Sequence, residues 1–165
     1  MGDLFGDWVN QHQLVQLYDP TIGYGMERQL WWWVMEIIRL CPQHTFLFLT
    51  KNPKGLKAWS PFPDNCVVGV SVCNQKMYDE ALKYLTDIEA KHKWLSFEPL
   101  LEGIAIKPID LAGISWVVIG AQSNPTIKPQ TEWLLNITNA CDKMGTKMWL
   151  KNNLGLGIPR QEKPI

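Results

Sequence analysis

The sequence predicts an α/β fold, a parallel sheet of about five strands with flanking helices. Two observations carry that expectation. Five short stretches are near-continuous apolar runs, the pattern of strands buried on both faces. Segments with helical apolar spacing lie between them, and strand–helix alternation argues for right-handed βαβ units.

The elements follow in order. Residues 25–40 place Leu30, Trp33, Val34, Ile37 and Ile38 on one helix face, with Trp31, Trp32 and Met35 pointing elsewhere. The first strand is FLFLT, 46–50, followed by a short helix or turn over 52–59. The second strand is CVVGVSV, 66–72, and a helix over 75–91 turns Met77, Ala81, Leu82, Leu85 and Ile88 inward. The third strand is KWLSF, 93–97, and a loop with little helix leads to the fourth, SWVVIG, 115–120. A helix over 130–144 turns Trp133, Leu134, Ile137 and Cys141 inward, stops at Gly145 and delivers the last strand, KMWLK, 147–151. The remainder, 155–165, reads as a flexible tail, frayed or laid down as a cover strip.

A chain of 165 residues is most simply one domain, and 46% hydrophobic residues suffice for a sizeable core. Lys plus Arg equals Asp plus Glu, 16 of each, so no strongly basic nucleic-acid surface is expected and a nucleic-acid partner is disfavoured. No apolar run reaches the roughly 18 residues of a membrane span. The start, MGDLFGDWVNQ, does not follow the basic-then-apolar order of a secretory signal, and the protein is expected to be cytoplasmic. Cys41, Cys66, Cys73 and Cys141 form no CxxC pair and no familiar metal-ligand spacing; reduced thiols packed as small apolar residues, and no metal, are expected.

Ligands of parallel α/β folds gather at the carboxyl ends of the strands. Each of the five strands here ends in polar residues. Lys51 follows the first, Ser71, Asn74 and Gln75 the second, Glu98 the third, Gln122 and Ser123 the fourth, and Lys151 the fifth. These eight are the candidate ligand-binding residues; catalytic residues are not identifiable. Plainer roles stand beside each. Asn74 and Gln75 suit a helix start, where asparagine is a favoured cap. Lys51 and Lys151 suit solvated loops. Glu98 ends an apolar strand, precedes a proline without an N–H, and needs a partner if buried: a ligand or a lysine of the rim. Gly120-Ala121-Gln122-Ser123 lacks the spacing of a phosphate loop. His12, His44 and His92 show no metal or triad spacing.

Six short pieces, in this order, carry a resemblance over essentially the whole chain: Gly2-Asp3-Leu4-Phe5, HTFLFLTKNP from 44, GVSVCNQ from 69, SFEPLL from 96, WVVIGAQS from 116 and MWLKNN from 148. The chain resembles a phage-associated family of uncharacterised proteins whose full-length members carry a radical-SAM-type cysteine motif near the N-terminus. The resemblance implies a partial TIM-barrel-like, radical-SAM-like fold. It also implies, for full-length members, a [4Fe–4S] cluster that binds S-adenosylmethionine. Family members typically show an acid before the Asn-Gln pair and Gly-Glu-Ser after the fourth strand; here Cys73 and Ala121-Gln122-Ser123 stand there. No cysteines are spaced as cluster ligands, so the chain is expected to be N-terminally truncated relative to the family and to hold no cofactor by itself.

Three functional expectations follow. One is the later part of a radical-SAM-like enzyme fold, without iron–sulfur chemistry on its own. Another is a non-redox binding module for a nucleotide-like or phosphate-bearing ligand. The third is an oligomeric interaction protein, a homo-oligomer joined through the Trp31/Trp32 helix or through open sheet edges.

Overall fold

Five strands form one parallel sheet, arranged in the order in which they occur along the chain: β1 (Phe46–Thr50), β2 (Cys66–Ser71), β3 (His92–Phe97), β4 (Ile114–Ile119) and β5 (Lys147–Leu150). Three α-helices accompany it: α1 (Leu30–Leu40), α2 (Gln75–Thr86) and α3 (Thr131–Met144). The structure is a computed structural model that describes residues 4–5, 14–15, 18–19, 23–24, 28–157 and 160–165. The α/β class, the parallel five-stranded sheet and the flanking helices are as the sequence predicts.

Side chains alternate across a strand, so each strand divides its residues between two faces. Val68, Val70, Leu95, Phe97, Val117, Ile119 and Met148 share one core with Met35 and Ile38 of α1, Tyr78, Ala81 and Leu85 of α2, and Ile137 and Cys141 of α3. All three helices therefore lie on that face. Val67, Trp94, Trp116 and Val118 form a separate cluster on the other face, with Trp149 packed against it. Burying each of the Val, Leu, Ile, Phe and Met side chains among these stabilises the fold by about 1.5–3 kcal/mol. Both faces thus contribute, which is why the strands read as unbroken apolar runs.

Two elements differ from the sequence reading. The inward face of α1 is Trp31, Val34, Met35 and Ile38, while Ile37 is 47% exposed. Three consecutive tryptophans leave the helical phase ambiguous, and packing chose the other one. Trp31 consequently leans on the core, and the half-buried Trp32 and Trp33 meet each other edge-on with ring centroids 5.0 Å apart. Helix α2 ends at Thr86 rather than at 91. Beyond it the chain is held by neighbours instead: the Glu89 N–H donates to the Ser60 hydroxyl and the Phe62 N–H donates to the Glu89 carbonyl. Of the two alternatives read for the segment 155–165, a flexible tail or a cover strip, the bonds of its residues agree with the second: they run antiparallel along the outer edge of β5. The Leu150 N–H donates to the Arg160 carbonyl at 2.7 Å, and the Glu162 N–H donates to the Met148 carbonyl at 2.9 Å.

Phe5 closes the helix side of the core, packing edge-on against Phe48, Trp59 and Phe62. Its carbonyl accepts from the Asn52 side chain at 2.9 Å. A Cβ at Gly55 would lie 2.3 Å from that oxygen, so only glycine permits the approach. Helix α3 ends as expected, on Gly145 with φ +67°. Among the described residues no helix is long and apolar enough to cross a membrane.

Candidate functional site

The site grows from the face of β3, β4 and β5 that carries no helix of the described residues. Trp94, Ser96 and Glu98 project from alternate positions of β3 and its end. The strand register sets Trp94 beside Trp116, Ser96 beside Val118, and Val118 beside Trp149. A cleft of about 410 Å³ opens there, lined among the described residues by Leu49, Trp94, Ser96, Glu98, Trp116, Val118, Trp149, Lys151, Lys163 and Pro164. That volume lies within the roughly 300–1,000 Å³ of small-molecule sites.

The tryptophans are fixed rather than loose. Trp94 lies across Gly69 of β2, where a Cβ would come within 2.2 Å of its indole nitrogen. That nitrogen donates to the Phe48 carbonyl at 3.0 Å. The Trp116 indole N–H donates to the Glu162 carbonyl of the C-terminal strip at 2.8 Å. The two rings pack with centroids 4.8 Å apart at 39°. Both indole N–H groups are satisfied and both rings are buried, 5% and 7% exposed, so the part of them that borders the cleft is apolar carbon, with the half-buried Trp149 beside it.

At the carboxyl end of the same face Glu98 forms an ion pair with Lys151. Glu98 leaves β3 and Lys151 leaves β5, so the pair spans the strand between them. It can do so because that strand is followed by Gly120: a Cβ there would lie 3.1 Å from both Glu98 Cγ and Lys151 Cδ. The backbone beneath is tied down. The Gly120 N–H donates to Phe97, the Leu100 N–H to Gly120 and the Lys151 N–H to Ile119, all at 3.0–3.1 Å. The Glu98–Pro99 peptide is cis.

A second recess of about 350 Å³ adjoins the first, lined by Glu98, Ser123, Trp149, Lys151, Asn152, Asn153 and Gln161. Asn153 frames it by pairing with the Ala121 backbone, accepting from its N–H at 3.1 Å and donating to its carbonyl at 2.8 Å. The Gln161 amide donates to Asn152 Oδ1 at 2.8 Å.

Of the eight residues singled out from sequence, Glu98, Lys151 and Ser123 come together around these two recesses. The other five line neither. Asn74 caps α2, accepting from the Met77 N–H at 2.9 Å. Gln75 bridges to the loop before β4: its side-chain oxygen accepts from Ala105 N–H at 2.7 Å and its own N–H donates to Glu102. Ser71 is buried at the end of β2, in register with Ser96. Lys51 is exposed, and its charge works against the burial that pushes the Cys73 thiol up. Gln122 pairs with Ile127 in a two-residue antiparallel ribbon. Trp94, Ser96, Trp116, Trp149 and Lys163 belong to the site and escaped the rim argument. The signal for the first four was present as period-two spacing within each strand, Trp94-Ser96-Glu98 above all.

The cysteines do not suit an iron–sulfur cluster. Among the described residues no three or more His, Cys, Asp or Glu side chains are grouped to hold a metal ion. Cys66 and Cys141 lie in the helix-side core as free thiols, and burial pushes them up to about 11 and about 12. Cluster ligation requires thiolates, which burial here opposes.

No curated protein and no solved structure matches the chain. A family model described as "Protein of unknown function (DUF5131)" matches residues 2–159, and the chain belongs to that family.

Proposed function

We propose that the tryptophan-walled cleft binds a small, flat-ringed anion of the nucleotide-like class. The observation that supports this reading is the indole-walled cleft, in which the half-buried Trp149 lies beside the buried Trp94 and Trp116, together with Lys151 and Lys163. Stacking a base on such a ring is worth about 1–3 kcal/mol. Two lysines against the single carboxylate of Glu98 leave the lining net positive, which favours an anionic group beside the ring. Tryptophan fluorescence and melting temperature, followed with AMP and S-adenosylmethionine, test the reading. A ligand at 100 times its Kd stabilises the fold by about 2.7 kcal/mol. If neither compound quenches the fluorescence nor raises the melting temperature, the reading fails.

A second reading, the later part of a radical-SAM-like enzyme, draws on the strand order. Parallel strands in chain order, with the helices of the described residues on one side, are arranged like a wall of a (β/α) barrel. S-adenosylmethionine would then occupy the cleft, and the cluster thiolates would come from outside the four cysteines present. Iron and sulfide analysis after anaerobic reconstitution of the protein tests it; the absence of bound iron would sink it. A homo-oligomer stays open as a separate proposal, resting on Leu47 and Leu49 of β1, 51% and 43% exposed. Sedimentation velocity decides, and a monomer at high concentration counts against it.

A further inference from the structure

The amide-lined recess beside the tryptophan cleft is distinct in chemistry from it. The cleft is walled by indole and aliphatic carbon, whereas the recess is walled mainly by uncharged hydrogen-bonding groups. The two share Glu98, Trp149 and Lys151, so one molecule can span both. Within the recess Asn153 is engaged on both sides with the Ala121 backbone and serves as frame. The Gln161 amide N–H donates to Asn152 Oδ1, which orients both side chains. That contact leaves the Gln161 carbonyl oxygen as acceptor and the Asn152 amide N–H groups as donors, with the Ser123 hydroxyl able to do either.

An acceptor, a donor pair and a hydroxyl set close together do not select a full charge. They suit a group that donates and accepts at adjacent atoms, which is the property of neighbouring hydroxyls on a sugar. Glu98, at the boundary, can accept further hydroxyl donors. We propose that this recess is a sugar subsite, and that the ligand is a nucleoside-type molecule: base in the tryptophan-walled cleft beside Trp149, hydroxylated ring against Asn152 and Gln161. The inference rests on the ring-binding reading of the cleft and extends it to the second half of the ligand.

Adenine, adenosine and AMP separate the possibilities by fluorescence titration of the whole chain. Wild type is expected to bind adenosine at least about tenfold tighter than adenine, since two or three hydrogen bonds are added. Gln161→Ala with Asn152→Ala is expected to bring adenosine down to the affinity of adenine and to leave adenine binding unchanged. The unchanged adenine affinity shows that the double variant keeps its fold and its cleft. Equal affinities for adenine and adenosine in wild type would overturn the sugar subsite while the ring-binding reading survives. An adenosine advantage that persists in the double variant would also overturn it. Failure of all three compounds to bind would end the ring-binding reading and the subsite with it.

Discussion

Glu98 and Lys151 meet above Gly120, joining the ends of two strands that are not neighbours. The pair closes over the middle strand because that strand presents no side chain at the crossing. It also stands where the aromatic cleft and the polar recess join. A glycine, a carboxylate and a lysine on three successive strands thus make one structural unit. Several expected outcomes depend on it.

Glu98→Ala is expected to alter stability little. Its side chain is 30% exposed and that of Lys151 42%, and a solvent-screened pair of this kind contributes about 0–1 kcal/mol. The preference for adenosine over adenine is expected to shrink, because the boundary between the two recesses loses its fixed acceptor, while the lysines still favour an anion. Urea unfolding alongside ligand titration checks both halves. Marked unfolding of the variant would make Glu98 structural instead.

Gly120→Val separates the pair more directly. Gly120 does not have a positive φ, so the backbone tolerates a side chain. The new atoms fall where Glu98 Cγ and Lys151 Cδ now lie, 3.1 Å from the Cβ position. Both are flexible side chains and can swing away, so the expected cost in stability is about 1–2 kcal/mol. Adenosine affinity is expected to fall about as far as in Glu98→Ala. Affinity equal to wild type would show that the crossing does not matter to the site.

Gly69→Ala acts one step earlier. Its Cβ would sit 2.2 Å from the Trp94 indole nitrogen, inside any permitted contact. Trp94 must rotate, surrendering its bond to the Phe48 carbonyl and its packing on Trp116. A loss of about 1–3 kcal/mol in urea unfolding is expected, with a shift in tryptophan emission. An unchanged emission maximum would count against the fixed platform.

Removing residues 160–165 takes away the acceptor of the Trp116 indole, two cleft-lining residues and the cover of the β5 edge. Uncovered strand edges pair with other chains. The shortened protein is expected to lose ligand response and to self-associate more than wild type, as read by light scattering after size exclusion.

Stability should fall in alkali. Burial raises the Cys66 and Cys141 thiols from the ordinary 9.0 to about 11 and about 12. Below about pH 9 both states hold these protons and stability is unaffected. Above it the unfolded thiols ionise while the folded ones stay protonated, so the unfolded state gains. Each thiol then costs about 1.4 kcal/mol per pH unit until its folded pKa is passed. Burial also raises the Tyr78 hydroxyl, which adds to the loss at higher pH, whereas the lowered Lys93 amine offsets part of it. Urea midpoints from pH 7 to 10.5 check the sign. A midpoint that holds constant above pH 9 would contradict the buried thiols.

The sheet was legible because its code is local. Apolar runs such as CVVGVS and ISWVVI, turns around Gly145 and the alternation of periods name strands, helices and their order without long-range information. Glu98 and Lys151 were legible for the same reason, since each ends a strand and strand ends share one rim. The face of α1 was not, because three successive tryptophans satisfy two helical phases and only contact with Met35 and Ile38 separates them. Nor was the role of Asn74 and Gln75, whose types serve a helix start and a ligand equally well; hydrogen bonds to Met77 and Ala105 decide that.

By itself the sequence determined the class of fold, the parallel strands and the polar rim, all of which follow from hydrophobic spacing read a few residues at a time. The tertiary structure alone decided that all three helices cover one face, that Trp94, Trp116 and Trp149 share the other, and that residues 160–164 return to complete the cleft. Those relations join distant positions, 46 residues apart in each of the bonds from Trp94 to Phe48 and from Trp116 to Glu162. They arise from strand register and side-chain shape, which exist only after the strands have paired.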